Sequence, residues 1–226
     1  MTEGIVYMAF GDAAIAELAK SIESLRRFAD YPVLAVADKE VGIVPTVIWK
    51  GEYPYNPEAM KQHKFMAGRV KPFLCAISPF DKTLYLDCDT EFMQSPEEGF
   101  ALLDRWDMAV AKHAGQERTI TALKFGLEEK EAMIQCLSGN SDVPYLNSGV
   151  IFFRKCPQVE SVFQDWYTHW MEWGHWDEQQ ALMKAIYTNP LRMLVLNEGW
   201  NHPKRELAKV IYHAYGKGAA RTDVVQ

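Results

Sequence analysis

Lys82-Thr83-Leu84-Tyr85-Leu86-Asp87-Cys88-Asp89-Thr90 is the stretch on which the fold turns. Thr83 to Leu86 are strand formers and the run is apolar on both faces, the pattern of a strand buried inside a sheet. The strand over residues 82–87 runs into two carboxylates spaced i, i+2. Side chains on extended backbone alternate faces with period two, so Asp87 and Asp89 point to one side and can reach one ion together. Cys88 between them points the other way and reads as a small buried filler.

Outward from this strand, apolar runs of strand length alternate with stretches of helical period. Strands are expected at residues 5–10, 32–37, 44–49, 108–111, 146–153, 193–196 and 210–213, and helices at 72–77, 128–137, 158–173 and 178–186. A helix also follows Gly11, with Asp12 placed as its cap and Ile15, Leu18, Ile22 and Leu25 on one face. Residues 51–57 form a loop by their Pro, Gly and Asn content. The alternation predicts an α/β fold with a mostly parallel central sheet flanked by helices, continuous as a single domain over residues 1–226. Trp166, Trp170 and Trp173 fall on one helix face with Phe163 and are expected to pack into the core.

Composition excludes several functions. The 226 residues are 48% hydrophobic and carry a net charge of -6, so the chain can bury a core without disulfide or structural metal. An acidic balance argues against nucleic acid as a partner, because phosphate-backbone binding needs clustered Lys and Arg. Cys75, Cys88, Cys136 and Cys156 are 13, 48 and 20 positions apart, which offers neither zinc-ligand spacing nor a Cys-x-x-Cys motif. Free thiols, no signal-peptide pattern after Met1 and no apolar run long enough to span a bilayer predict a cytoplasmic protein without an integral membrane segment.

The carboxyl ends of strands in open α/β sheets are where ligands bind, and Asp87 and Asp89 lie at such an end. Hard oxygen ligands of this kind suit Mg²⁺ or Mn²⁺ shared with substrate phosphate. Without a cation, a carboxylate ~6 Å from a phosphate charge is repelled by about 3 kcal/mol at an effective dielectric near 20. His213 closes the last apolar strand and precedes Gly216-Lys217, a flexible segment carrying a cation. An imidazole beside two carboxylates shifts the choice toward Mn²⁺.

Taken together, Tyr85-Leu86-Asp87-Cys88-Asp89-Thr90, Leu146-Asn147-Ser148-Gly149-Val150, Trp176-Asp177-Glu178-Gln179-Gln180, Leu196-Asn197-Glu198-Gly199-Trp200-Asn201 and His213-x-x-Gly216 resemble, in order, the motifs of GT-A fold glycosyltransferases of the glycogenin-like family 8. The resemblance implies a Rossmann-like nucleotide-diphospho-sugar transferase fold. It implies Asp87, Asp89 and His213 as metal ligands and a sugar-nucleotide donor, with UDP-sugar favoured. Lys71, sixteen positions before Asp87, takes the place of a donor-contacting lysine. Ala9, Phe10, Gly11, Gly149, Gly216 and Lys217 are implied to line the nucleotide-sugar. Asn147, Gln179 and either Asp177 or Glu178 are implied to face the reacting sugar, and transfer to a saccharide or other hydroxyl acceptor to proceed with retention. Trp176, which abuts the Asp177 segment, is a candidate platform for donor or acceptor. Ala14 stands where the family has a tyrosine that stacks on uracil, and Phe10 offers the alternative face. Lys217 or Arg221 replaces the family's Lys-Pro-Trp ending.

Two other readings share parts of this pattern. A haloacid-dehalogenase-like phosphotransferase also ends a strand in Asp-x-Asp with Mg²⁺, but on its first strand and with a later acidic pair. The third reading is a sugar-nucleotide-binding domain without turnover.

Overall fold

In the computed structural model the 82–87 segment is β4 (Lys82–Leu86), buried along its whole length near the middle of a seven-stranded sheet. Residues 1–50, 70–114, 127–139, 142–172 and 178–215 are described. The other strands are β1 (Glu3–Ala9), β2 (Val33–Ala37), β3 (Thr46–Ile48), β6 (Met108–Lys112), β7 (Leu146–Arg154) and β8 (Met193–Leu196), in the order β3-β2-β1-β4-β7-β6-β8. β1 pairs in parallel with β2 and with β4, and β6 in parallel with β8. Consecutive strands β1 to β3 thus run one way from β1, while β4 lies on its other side, which opens a crevice at their carboxyl ends.

β7 is the antiparallel strand of this sheet, paired with β4 through Leu86↔Val150 and with β6. A run buried on both faces has no alternation to show its direction, so a mostly parallel sheet was all that the pattern could predict. The reversal matters for the site: it sets the beginning of β7, Asn147 to Gly149, beside the end of β4. The Asp87 N–H continues the ladder by donating to the Gly149 carbonyl at 2.9 Å.

Alternate residues of the central strands feed two cores. Val6, Met8, Tyr85, Ile151 and Phe153 face one side, against α5 (Pro157–Glu172) and α6 (Glu178–Thr188); Trp166 and Trp170 of α5 are buried there, as the aromatic stripe predicts. Ile5, Tyr7, Leu84, Leu86 and Phe152 face the other side, against Leu18 and Leu25 of α1 (Asp12–Arg26) and Phe100 of α3 (Glu97–Leu102). Trp173 lies outside the described residues. Helix α3 carries Glu97 and Glu98 in its first turn, where the helix dipole favours negative charge.

Several expectations are corrected. Gly11, at φ 82°, precedes the first turn of α1, and Asp12 is the first helical residue, its carboxylate paired with Lys39 instead of capping. Ser21 and Ser24 take the buried side of α1 with Leu18 and Leu25, while Ile15 and Ile22 are only partly covered. The hydroxyls are buried because they serve a strand that periodicity could not detect: the Ser24 hydroxyl accepts the Phe92 N–H at 2.8 Å. Residues 71–77 are a 3₁₀ turn (Lys71–Phe73) running into α2 (Leu74–Ile77), with Pro72 where its missing N–H costs nothing. α4 (Leu127–Cys136) completes the described helices.

The largest revision concerns the last strand. β9 (Ile211–His213) does not join the main sheet. It pairs antiparallel with β5 (Thr90–Phe92) in a separate two-stranded sheet, Thr90 opposite His213. Three-residue strands are too short for a period-two signal, yet this pairing delivers His213 to the end of β4. The 51–57 loop lies outside the described residues. No helix among those described is long and apolar enough to cross a membrane.

Candidate active site

The chain leaves β4 at Asp87, turns through Asp89 and enters β5. The turn is pinned from below: Thr90 Oγ1 donates to the Asp87 carbonyl at 2.8 Å and shares a buried hydroxyl chain with Ser21 (3.0 Å) and Tyr7 (2.8 Å). Burial pushes the Tyr7 phenol far above its ordinary range, so it stays a neutral link. The Ala214 N–H donates to the Asp89 carbonyl at 2.9 Å, locking the β9 end to the same turn. Cys88 points away, as the strand alternation predicts, with its thiol on the Met8 carbonyl.

One ligand atom each from Asp87, Asp89 and His213 falls within a 4.8 Å cluster. His213 Nε2 stands 3.1 Å from Asp89 Oδ1 and 3.6 Å from Asp87 Oδ2. Gly149 is the floor beneath them. A Cβ there would lie 2.2 Å from His213 Cε1 and 2.7 Å from Asp87 Oδ2, so this close approach admits only glycine.

A second cluster adjoins the first. The Lys71 ammonium, nearly fully buried, reaches Asp87 Oδ1 at 3.0 Å, Glu178 Oε1 at 2.9 Å and Ser148 Oγ at 3.3 Å. Burial opposes its charge, but the carboxylates of Asp87 and Glu178 outweigh burial and hold the amine above its usual range, so it is a fixed cation at neutral pH. Burial likewise works against the Glu178 carboxylate, and the Lys71 charge overcomes it and keeps Glu178 ionised. Ser148 joins the elements, donating its hydroxyl to Glu178 at 2.9 Å and its N–H to Gln179 Oε1 at 2.9 Å. The start of α6, which carries both residues, is held from the core by Trp166 Nε1 donating to the Glu178 carbonyl at 2.6 Å.

The structure therefore gathers Asp87, Asp89, His213, Lys71, Asn147, Gly149, Glu178 and Gln179 around the end of β4. The side chain of Ala9 is fully buried in the core, so a ligand there could meet only its main chain. Phe10 is partly covered and Gly11 opens onto free space, its N–H on Asp38 Oδ1 at 3.1 Å. Asp177, Trp176, Gly216, Lys217 and Arg221 lie outside the described residues. Three participants carried no role in the sequence reading. Tyr85 donates its hydroxyl to Asp87 Oδ1 at 2.5 Å, and its position two residues earlier on the same strand face was the available signal. Ser148 and Asn201 stand inside the quoted motifs, but their partners are distant in the chain.

The donor set fits a divalent cation. Among the described residues, Asp87, Asp89 and Glu178 bring three carboxylates against the ammonium of Lys71, an excess of negative charge that a hard cation would offset, and the two-carboxylate, one-imidazole set suits Mn²⁺ or Mg²⁺.

An α/β sheet with a switch-point crevice and an Asp-x-Asp-plus-His ligand set at a strand end defines the GT-A class of fold. Solved structures agree. The chain superposes on the bifunctional glycosyltransferase WbbM with a TM-score of 0.64 at 19% identity, covering 88% of this chain and 39% of that one. It matches mouse xyloside xylosyltransferase 1 at 0.62 and 15% identity, over 96% and 99% of the two chains. It matches the galactosyltransferase LgtC, in complex with donor and acceptor sugar analogs, at 0.56 and 14%, over 95% and 87%. These likenesses establish the fold. This chain spans well under half the length of WbbM. No protein-family model and no curated protein sequence matches the chain.

Proposed function

We propose that this protein is a metal-dependent glycosyltransferase that moves a hexose from a nucleotide-diphosphate sugar, with a UDP-sugar favoured, to a saccharide or other hydroxyl acceptor. The observation that carries this reading is the convergence of Asp87, Asp89 and His213 beside the Lys71–Glu178 pair, at the carboxyl end of the central strand of this fold. Mn²⁺, or Mg²⁺, held by Asp87, Asp89 and His213 would supply Lewis-acid charge to the departing diphosphate.

The remaining roles belong to the chain. Lys71 places a permanent cation against Asp87, where negative charge gathers as the nucleoside diphosphate leaves. Glu178, ionised and anchored by Lys71 and Ser148, offers negative charge to the oxocarbenium character that develops on the sugar. Asn147 commits its carbonyl oxygen to the Gly149 N–H and to Asn201, and directs its amide NH₂ to donor hydroxyls. Gln179, its carbonyl oriented by the Ser148 N–H, flanks the same position. Either Asp177 or Glu178 takes the acidic role, and Gly216 and Lys217 contribute to binding the diphosphate. Phe10 and the Gly11 main chain border the base. Retention of anomeric configuration follows from the family 8 resemblance, and four free thiols suit a reducing cytoplasm.

The test is donor hydrolysis. The protein is incubated with Mn²⁺ and a panel of sugar nucleotides, and free nucleoside diphosphate is measured. Release from one donor, abolished by EDTA, is the expected result. Binding without release would make the chain a binding module, and phosphate release from sugar phosphates would move it to the phosphotransferase class.

A further inference from the structure

We infer that Asn201 is a positioning residue that fixes the tautomer of His213 and ties the metal ligand to the donor-facing strand. Three nearly fully buried polar side chains form a relay: Asn201 Oδ1 lies 2.8 Å from His213 Nδ1, and Asn201 Nδ2 lies 2.8 Å from Asn147 Oδ1. Amide orientation and ring protonation are ordinarily ambiguous, but here the relay ends on a group that has no choice. The Gly149 main-chain N–H, 2.8 Å from Asn147 Oδ1, can only donate. The Asn147 atom facing it is therefore the carbonyl oxygen, and the Asn201 atom facing that oxygen is the NH₂. The Asn201 oxygen must then face the imidazole, so Nδ1 of His213 carries the hydrogen. Nε2 is the remaining nitrogen; it faces Asp89 Oδ1 at 3.1 Å and Asp87 Oδ2 at 3.6 Å, and is the one left to hold an ion with them.

Asn201 itself is held on both sides. Its carbonyl accepts the Tyr215 hydroxyl at 2.9 Å, and its N–H closes the turn Glu198–Trp200 onto the Glu198 carbonyl at 3.0 Å. That turn is capped by the Asn197 side chain on the Gly199 N–H. A metal-ligating histidine needs its other ring nitrogen bonded to an acceptor that orients it, and a fully buried amide supplies that acceptor without adding another charge to an acidic cluster. Because Asn147 Oδ1 also receives the Asn201 NH₂, the imidazole that would hold the ion and the amide that would meet the donor share one rigid connection.

The inference rests on the reading of His213 as a metal ligand, but its first test needs neither metal nor turnover. ¹⁵N NMR of the metal-free protein at alkaline pH, with the imidazole neutral, reports which nitrogen is protonated. The Nδ1–H form is expected, and an Nε2–H form overturns the assignment. Asn201→Leu removes the acceptor and should lose the single tautomer and weaken Mn²⁺ binding at least 10-fold, whereas Asn201→Asp keeps an acceptor at Nδ1 and should retain the Nδ1–H tautomer while losing the link to Asn147 Oδ1. Parent-like tautomer and Mn²⁺ affinity in the leucine variant would reduce Asn201 to a structural role and sink the inference. Failure of the parent itself to bind Mn²⁺ would instead sink the functional reading, leaving the tautomer result standing.

Discussion

Gly149→Ala is the perturbation that probes the site most economically, because the structure states what one methyl would meet. The added carbon would sit 2.2 Å from His213 Cε1, 2.7 Å from Asp87 Oδ2 and 2.9 Å from His213 Nδ1, all below the 3.0 Å that real contacts respect. The glycine is not at a positive φ, so the effect is steric and not a matter of backbone preference. To reach ordinary contact near 3.4 Å the ring must retreat by roughly 1.2 Å. It is nearly fully buried, with Asn201 bonded on one side and Tyr215 packed edge-on at 4.7 Å, so the ring cannot retreat toward either without disturbing that contact. Overpacking of this kind costs about 1–3 kcal/mol of stability. Metal coordination tolerates far smaller displacements, of the order of 0.2 Å, so the larger effect falls on the ion. Isothermal titration with Mn²⁺ should show at least a 100-fold loss of affinity, with a melting temperature lowered by roughly 2–12 °C. Parent-like Mn²⁺ affinity in a folded Gly149→Ala protein would refute the assignment of His213 and Asp87 to one ion.

Other outcomes follow from the same geometry. Asp89→Asn should abolish Mn²⁺-dependent nucleoside diphosphate release while the circular dichroism and melting curve stay close to the parent's; full activity with any donor would remove Asp89 from the site. Lys71→Met leaves Asp87 and Glu178 without their buried cation and should cost about 3 kcal/mol in urea unfolding at pH 7, a deficit that narrows at acid pH, where the Glu178 carboxylate that Lys71 holds ionised takes up a proton. Tyr85→Phe removes the hydroxyl on Asp87 Oδ1 and should weaken Mn²⁺ binding by roughly 10-fold with little change in fold, measured by the same titration. At the far edge of the sheet, Arg192 and Arg154 hold the Asp107 carboxyl down to about 2. A depressed carboxyl stabilises above its unfolded value near 4 and loses that contribution as pH falls toward 2. Asp107→Asn should therefore lower the urea midpoint at pH 7, and the gap to the parent should close below pH 3.

What could be read from the chain follows from how each signal is made. β4 announces itself because a run buried on both faces is cut off by two carboxylates, and the five strands and helices of ordinary length around it are set by local periodicity. The direction of β7 is invisible because full burial erases alternation. β5 escapes because three residues are less than two periods, and although β9 falls within the expected 210–213 strand, its pairing with β5 joins segments about 120 positions apart. The site shows the same division. Asp87 and Asp89 are neighbours in sequence, and their shared face follows from strand geometry. The placement of His213 beside them depends on the β5–β9 pairing; its position at the end of the last apolar strand made it a candidate, and the resemblance to glycogenin-like motifs implied it as a ligand. Lys71, Ser148 and Glu178 meet across 107 positions, and nothing local in any of the three announces the others. Serine at positions 21 and 24 looks like an interruption of an apolar helix face until β5 supplies their partners, the Thr90 hydroxyl for Ser21 and the Phe92 N–H for Ser24.

The central claim is that Asp87, Asp89 and His213 hold one divalent ion against a nucleoside diphosphate. Pulsed EPR of the protein with one equivalent of Mn²⁺ and UDP tests it in a single sample. The account predicts a ¹⁴N coupling from the His213 imidazole and a ³¹P coupling from the diphosphate on the same manganese, the nitrogen signal vanishing in His213→Leu. A spectrum of aqueous Mn²⁺ or of Mn²⁺–UDP alone, without protein nitrogen, would contradict it.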